Sequence, residues 1–324
     1  MSLRSLSLAR TVRLQLTRGR SATNFLFILF LCPICLLAQT LVDNKLQKQD
    51  PLRFFAIEYR RNDVLFPVDL FSGNGISQST MAILDTGSAR SYLDASTAQL
   101  FRLEPGPVTD IVDTAGRRSS VETALLPRMK LGPRDILRLE VVKNDLKNLT
   151  PGVDVDMLIG ADLVQRFVVT INYPDRKMAL SVKPVEHNGA KLLGSIPIEM
   201  RNGLPTVTCS LAGAGKFAAI LDTGYEESLL VLGEAASELH FIRPGTSRTE
   251  QSFNGSTMDE EQGEIDSLRC GDMSWGPLLV ARLNQHSPEA RRDVPSLIGN
   301  EIFDRYLVEF DFPNRKVSFF CPCP

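Results

Sequence analysis

The chain has 324 residues, of which 43% are hydrophobic and 23% are charged, and its formal net charge is −2. This composition is that of a globular protein, and the length is enough for about two domains of ordinary size. The near-neutral charge gives no basic field, so we predict no nucleic-acid partner.

The N-terminal segment differs in composition from the rest of the chain. Residues 1–20 contain five arginines and no acidic residue, and an apolar run follows over 25–38. This pattern predicts a signal peptide or signal anchor over 1–41. The run is shorter than the ~20 residues of a typical membrane span, but if it stays uncleaved it would anchor the protein to a membrane. We therefore expect an exported protein (periplasmic, secreted or membrane-anchored), with an organellar location as the less favoured alternative.

Beyond the N-terminal segment, the local signals are those of β structure. Alternating and β-branched residues predict nine strands, at 64–70, 80–84, 138–142, 167–172, 178–182, 205–211, 217–221, 306–312 and 316–320. The predicted helical segments are few, at Ser91–Phe101, Ala161–Arg166, Gly233–Phe241 and Asn300–Arg305. An all-β fold with few short helices follows from this distribution.

Two pairs of matching segments divide the chain. AILDTGSARSYL at 82–93 matches AILDTGYEESLL at 219–230, and LIGADLVQRFVVTINYPDRKMAL at 158–180 matches LIGNEIFDRYLVEFDFPNRKVSF at 297–319. The offsets, 137 and 139, differ by only two residues. We therefore interpret the chain as an internal duplication of one β domain. The predicted divisions are a first lobe at 52–183, a linker at 184–195 and a second lobe at 196–320.

Each predicted lobe also contains two candidate hairpins. The turn sequences YPDRK and FPNRK lie between short strand-like runs, where proline and Asp or Asn favour a tight turn. They predict a hairpin at the end of each lobe. A second hairpin in each lobe, a candidate flap over a cleft, is predicted near 112–122 and near 252–264.

The aspartates of the matched segments suggest a reaction. Asp85 and Asp222 each follow an apolar run, and a two-fold arrangement of the lobes would bring them together. Two carboxylates that share a site hold one proton between them, because both cannot ionise easily. One member can then deprotonate a water while the other protonates a carbonyl oxygen. This chemistry hydrolyses an amide without a metal, and we predict no cofactor.

The doubled Asp-Thr-Gly, followed 73 and 75 residues later by Leu-Ile-Gly, resembles the pepsin and retropepsin superfamily of aspartic proteases over nearly all of 60–320. The resemblance implies two similar retropepsin-like β-barrel lobes related by pseudo-two-fold symmetry, in a monomer that cleaves a peptide or protein substrate. It implies that Asp85 and Asp222 are catalytic. It also implies that the site is shaped by Thr86, Gly87, Ser88, Thr223 and Gly224.

The second lobe departs from this pattern at one position. Ser88 fits the family, in which that hydroxyl bonds the neighbouring carboxylate, but Tyr225 stands in its place in the second lobe. Glu226 and Glu227 follow it and add negative charge. The alternative to an aspartic endopeptidase is therefore a catalytically degenerate protein that binds extended peptides. The intact aspartates, threonines and glycines favour the enzyme.

Cysteine and histidine give no metal signal. Outside the apolar run the cysteines are Cys209, Cys270, Cys321 and Cys323, which could form disulfides in an exported chain, and their pairing stays open. No Cys-x-x-Cys or histidine cluster occurs after residue 38, so we predict no zinc site.

Overall fold

The computed structural model of the protein describes residues 53–112, 118–146, 154–212, 215–251, 257–283 and 295–321. These residues form 24 strands and only four helices, each of six residues or fewer. The all-β fold class is therefore confirmed. The predicted signal segment at 1–41 lies outside the described residues. Within them, no helix is long and apolar enough to cross a membrane.

The strands are numbered in chain order. The first eleven are β1 (Phe55–Ala56), β2 (Glu58–Arg60), β3 (Asp63–Phe71), β4 (Ser77–Leu84), β5 (Tyr92–Asp94), β6 (Pro105–Val112), β7 (Arg118–Leu131), β8 (Arg134–Asn144), β9 (Val155–Ile159), β10 (Val168–Asn172) and β11 (Lys177–Ser181). The next thirteen are β12 (Lys191–Pro197), β13 (Glu199–Arg201), β14 (Leu204–Leu211), β15 (Lys216–Leu221), β16 (Leu229–Val231), β17 (Arg243–Gln251), β18 (Thr257–Ile265), β19 (Leu268–Cys270), β20 (Met273–Trp275), β21 (Leu278–Leu283), β22 (Ser296–Ile298), β23 (Leu307–Asp311) and β24 (Lys316–Cys321). All nine strands predicted from the sequence are among them.

Two of the three sheets form the lobes, and they have the same strand order. The first lobe runs β2-β3-β4-β9-β5-β8-β7-β6, and an extra β3–β7 pairing closes it. The second runs β13-β14-β15-β22-β16-β21-β18-β17, with β14 also pairing to the β19–β20 hairpin. The long β7 and β8 of the first lobe correspond to strands that are interrupted in the second. The predicted pair of similar β-barrel lobes is confirmed.

A third sheet joins the lobes, in the order β1-β11-β10-β23-β24-β12. The predicted terminal hairpins are its β10–β11 and β23–β24 pairs. At its centre β10 and β23 run antiparallel, and Thr170 faces Glu309. These two positions are equivalent at the offset of 139, so the pairing is self-complementary about an approximate two-fold axis. The sheet's outer strand β12 begins at Lys191, inside the segment that we predicted as a linker.

The four helices are α1 (Ala95–Leu100), α2 (Ala161–Val164), α3 (Gly233–Glu238) and α4 (Asn300–Phe303). The prediction of one helix over Ser91–Phe101 was wrong at its start. Tyr92–Asp94 instead form β5, which pairs with β8 and β9. Sheet pairing here overrides local helix preference. The helix then begins after Asp94, whose carboxylate accepts from the Ser96 N–H at 2.9 Å, an ordinary N-cap.

Apolar packing positions both aspartate loops. The side chains of β4 alternate, so that Ala82 and Leu84 enter the main core while Ile83 joins a smaller cluster on the other face. The equivalent strand β15 places Ile220 in a second small cluster. Each aspartate therefore follows a strand that is buried on both faces, and its loop has little freedom to move.

The structure contains one disulfide bond among its described residues, between Cys209 and Cys270. The two residues face each other across β14 and β19. The bond closes a segment with a sequence separation of 61, which includes the β17–β18 hairpin. Constraint of an unfolded loop of this length typically stabilises a domain by about 2–4 kcal/mol.

We expect replacement of both Cys209 and Cys270 by alanine to lower the free energy of unfolding by that amount. Urea unfolding with and without dithiothreitol would measure it. Reductant should weaken the wild type and leave the double variant unchanged, and equal effects on both would contradict the assignment of the stabilisation to this bond.

Candidate active site

The two Asp-Thr-Gly loops are held by the Leu-Ile-Gly segments of their own lobes. The backbone N–H of Asp85 donates to the carbonyl of Ile159 at 3.0 Å, and that of Asp222 donates to Ile298 at 2.8 Å. The strands concerned, β9 and β22, run parallel to β4 and β15. The matched segments of each half therefore meet in space, although they are more than 70 residues apart along the chain.

A reciprocal set of hydrogen bonds joins the two loops across the lobe boundary. The N–H of Thr86 donates to Oγ1 of Thr223 at 3.0 Å, and the N–H of Thr223 donates to Oγ1 of Thr86 at 3.0 Å. Each hydroxyl then donates onward to the opposite strand, to Leu221 O at 2.6 Å and to Leu84 O at 2.8 Å. Both threonines are fully buried, so these four bonds fix the loops relative to each other.

The glycine after each threonine lies against the opposite aspartate. A Cβ at Gly224 would come within 2.6 Å of Cγ of Asp85, and a Cβ at Gly87 would overlap the carboxyl group of Asp222. No side chain fits at either position. Glycine is needed here for close approach and not for an unusual backbone angle.

Asp85 and Asp222 are brought together at this point, and their carboxyl groups share a hydrogen bond. Burial raises the pKa of both groups, and the neighbouring charge of Asp222 raises the pKa of Asp85 further. The backbone N–H of Gly224, which donates to Oδ1 of Asp222 at 2.8 Å, opposes the rise in the pKa of Asp222. Backbone N–H groups of Ser88 and Gly87 oppose the rise in the pKa of Asp85 as well, so the pair as a whole holds one shared proton.

The expectation that the Ser88 hydroxyl bonds the neighbouring carboxylate was wrong. The Ser88 hydroxyl donates to the carbonyl of Arg90 at 2.8 Å, and it also bonds the hydroxyl of Tyr92. Burial, followed by the charge of Asp85, raises the pKa of Tyr92 to about 12. The single hydroxyl proton of Ser88 is therefore used within the local turn.

Tyr225, at the equivalent position, turns its ring away from the dyad. The ring packs against the small apolar cluster of the second lobe, and its hydroxyl donates to Oε2 of Glu227 at 3.1 Å. Only the backbone of Tyr225 interacts with Asp222. Neither the Ser88 side chain nor the Tyr225 side chain therefore forms a hydrogen bond with the dyad carboxyl groups.

Two site residues carried no motif that we recognised. Asn300 is fully buried and bridges the lobes: its Nδ2 donates to the Asn62 carbonyl at 2.6 Å, and its Oδ1 accepts from the Tyr173 hydroxyl at 2.7 Å. Nδ2 of Asn62 in turn donates to the Glu226 carbonyl at 2.8 Å. One sequence signal could have indicated Asn300: the second matched segment reads LIGN where the first reads LIGA, so a polar amide follows an apolar run.

Asp63 is a third carboxyl group near the dyad, and sequence reasoning missed it as well. It begins β3 and is 7% exposed. Burial, and after it the charge of Glu226, raises the pKa of Asp63 to about 7, while Arg61 opposes the shift and Asp222 adds to it. No spacing rule links this residue to the Asp222 loop, because it reaches that loop only across the lobe boundary.

The predicted flap hairpins lie within β6–β7 and β17–β18, while their tips at 113–117 and 252–256 lie outside the described residues. The acidic run of the second hairpin is largely neutralised. Glu261 pairs with Arg282 at 2.8 Å and Glu264 with Arg243 at 3.1 Å. In the described part of the chain, no group of three or more His, Cys, Asp or Glu residues could hold a metal ion.

Comparison with known proteins agrees with this geometry. A family model described as aspartyl protease matches residues 67–163, which include the Asp85 loop and the Leu-Ile-Gly segment that supports it. The resemblance to retropepsin-like aspartyl proteases is thereby confirmed over these residues. A search of curated proteins gave no match. The family-model match over 67–163 supports a protease-type function and suggests a hydrolase.

We expect Thr223→Val to lower the free energy of unfolding by about 2–4 kcal/mol, because it leaves the Thr86 N–H and the Leu84 carbonyl buried without partners. Urea unfolding would measure the loss, and Thr223→Ser should recover most of it. Thr170→Val is the matched control, since Thr170 is equally buried and its hydroxyl has no hydrogen-bond partner among the described residues. A loss as large in Thr170→Val would contradict this role for the reciprocal bonds.

Asp63→Asn should stabilise the protein in a pH-dependent way. The folded state holds the Asp63 proton more tightly than the unfolded state, so wild-type stability is lost as the pH rises from 3.8 through about 7. The variant avoids that loss. Its advantage in unfolding free energy should be small below pH 4 and should grow to at most roughly 4 kcal/mol near pH 8, as measured by urea unfolding at each pH. A constant difference across this range would contradict the shift.

Proposed function

We propose that the protein is an aspartic endopeptidase, which hydrolyses peptide bonds with a water activated between Asp85 and Asp222. The observation that carries this proposal is the hydrogen-bonded pair of buried carboxyl groups, one from each lobe, with raised pKa values. Such a pair holds one proton over a range of pH in which isolated aspartates would have none. It thus offers an acid and a base side by side.

The hydrogen bond between the two carboxyl groups raises the pKa of Asp85 and lowers that of Asp222, and we assign the role of each member on this basis. Asp222 accepts the backbone N–H of Gly224 at 2.8 Å and is the ionised base that takes a proton from the attacking water. Asp85 carries the shared proton and donates it to the carbonyl oxygen of the scissile bond. The tetrahedral species then collapses with transfer of a proton to the leaving nitrogen, and the peptide is cut without a covalent intermediate. Thr86, Thr223 and the two glycines hold this geometry.

The substrate that we propose is an extended segment of a peptide or protein. The β6–β7 and β17–β18 hairpins each form one edge of the sheet of a lobe that carries one aspartate, and an extended peptide can pair with strands of this kind. We also propose an exported protein, on the basis of the N-terminal sequence alone.

The second candidate is a peptide-binding protein that has lost catalysis. Tyr225 favours it, because this side chain bonds Glu227 and leaves Asp222 supported by backbone groups alone. Nothing in this arrangement obstructs the dyad itself, however, since the Tyr225 ring lies against the apolar cluster. The endopeptidase is therefore the proposal that we favour.

We expect Asp85→Asn and Asp222→Asn each to abolish cleavage of a peptide library by the full chain, assayed from pH 3 to 8. Neither variant should lose stability, because each removes one charge from a buried like-charge pair. Urea unfolding of the same samples checks that the variants are folded.

The wild type should show activity that falls on both sides of an optimum, as the dyad loses its shared proton or gains a second one. Full activity in either asparagine variant would contradict the dyad mechanism. Tight peptide binding by a folded wild type without cleavage at any pH would instead support the degenerate candidate, and Tyr225→Ser would then be the variant that tests restoration.

A further inference from the structure

A cluster of charged side chains ties the hairpin of the second lobe to the Asp222 loop. It consists of Glu227 from that loop, Arg248 from β17 and Glu260 from β18, and we call these three residues the clamp. Arg248 forms ion pairs with both acids: it contacts Oε1 of Glu227 through Nη1, and Oε2 of Glu260 at 3.0 Å through Nη2. Glu227 lies five positions after Asp222, so the clamp joins the Asp222 loop to both strands of the hairpin.

The clamp is partly shielded from solvent, which distinguishes it from an ordinary surface ion pair. Glu260 has a side chain only 2% exposed, and those of Arg248 and Glu227 are 28% and 29% exposed. Nε of Arg248 also donates to Glu260 at 3.3 Å, so the planar guanidinium uses several donors at once. Arginine is suited to this bridging, whereas lysine would place its charge at a single point.

Two further hydrogen bonds converge on Glu227. The hydroxyl of Tyr225 donates to its Oε2 at 3.1 Å, and Nε2 of Gln262 on β18 donates to its Oε1 at 3.3 Å. Tyr225, the residue that breaks the family pattern, therefore orients the acid that holds the hairpin. The connection runs from the dyad loop through one carboxylate to both strands of the hairpin.

The described residues of the first lobe form no equivalent connection. Arg90 occupies the position equivalent to Glu227, with the opposite charge, and it pairs with Glu140 on β8. Of the ion pairs formed between described residues, none joins the Asp85 loop to β6 or to β7. The two hairpins therefore differ in how they are held, although the two lobes share one strand order.

We propose that Glu227 and Arg248 are positioning residues for the peptidase: they hold the second hairpin against the Asp222 loop before a peptide binds. This inference rests on the proposed function. Ordering a segment on binding weakens affinity. A hairpin that is already held does not add this cost to peptide binding, and the clamp should therefore act on KM more than on kcat.

Glu227→Gln is the variant of choice, because it removes the charge of the Asp222 loop that pairs with Arg248 and leaves the buried Arg248–Glu260 pair intact. We expect amide hydrogen exchange in 243–251 and 257–265 to accelerate by about fivefold, the scale of one partly buried ion pair. KM for a cleaved peptide should rise by about fivefold, and kcat should stay within about twofold. Arg248→Lys should show smaller changes in the same direction.

Glu264→Gln is the matched control, because it breaks an ion pair with Arg243 that lies entirely within the same hairpin. It should leave both the exchange and KM unchanged. Unchanged exchange in Glu227→Gln, or equal acceleration in Glu264→Gln, would overturn the proposal. A fall in kcat with no change in KM would also overturn it.

The two proposals fail in different ways. Exchange reports the clamp whether or not the protein cuts peptides. If the wild type cleaves nothing, the proposed function fails, and accelerated exchange in Glu227→Gln together with weaker peptide binding, measured by fluorescence anisotropy, would still support the clamp. If the wild type cleaves and exchange is unchanged, the clamp fails alone.

Discussion

The reciprocal hydrogen bonding of Thr86 and Thr223 holds two acidic loops so close that their carboxyl groups share one proton. Two ionised carboxylates at this separation would repel each other strongly in a buried site. The loops therefore need an opposing constraint, and four buried hydrogen bonds supply part of it. The pairing of β10 with β23 supplies more, because it joins the lobes through a continuous sheet. The proton on the dyad is a consequence of this enforced approach.

The backbone of the two lobes is symmetric, but several side chains at the site are not. Ser88 corresponds to Tyr225, Arg90 to Glu227 and Ala161 to Asn300. Main-chain pairing does not depend on these identities, so the sheet order is the same in both lobes while the surroundings of each aspartate differ. Asn300 replaces a methyl group by an amide that bridges the lobes. The asymmetry thus arises at positions where a side chain can change without disturbing the sheet.

The buried polar groups near the dyad differ in how the cost of their burial is met. Asn300 and Glu260 have hydrogen-bonding partners that compensate their loss of water, as buried polar groups require. Asp63 instead responds by a raised pKa, which keeps it neutral over much of the acidic range. A duplicated backbone with unequal electrostatics can give its two carboxyl groups different roles, although they stand in the same motif.

The sequence by itself determined the strands, the two matched halves and the aspartate motifs, because alternation, turn residues and repeated spacing are local properties that can be read along the chain. It predicted that Asp85 and Asp222 meet, since two copies of one motif imply a symmetric partner. Only the tertiary structure decided that Ser88 bonds Arg90, that Tyr92–Asp94 form a strand and that Cys209 pairs with Cys270. The same holds for Asp63, Asn300 and Arg248, whose partners lie far away in sequence. Their interactions depend on which surfaces the folded lobes bring into contact, and sequence periodicity does not predict those contacts.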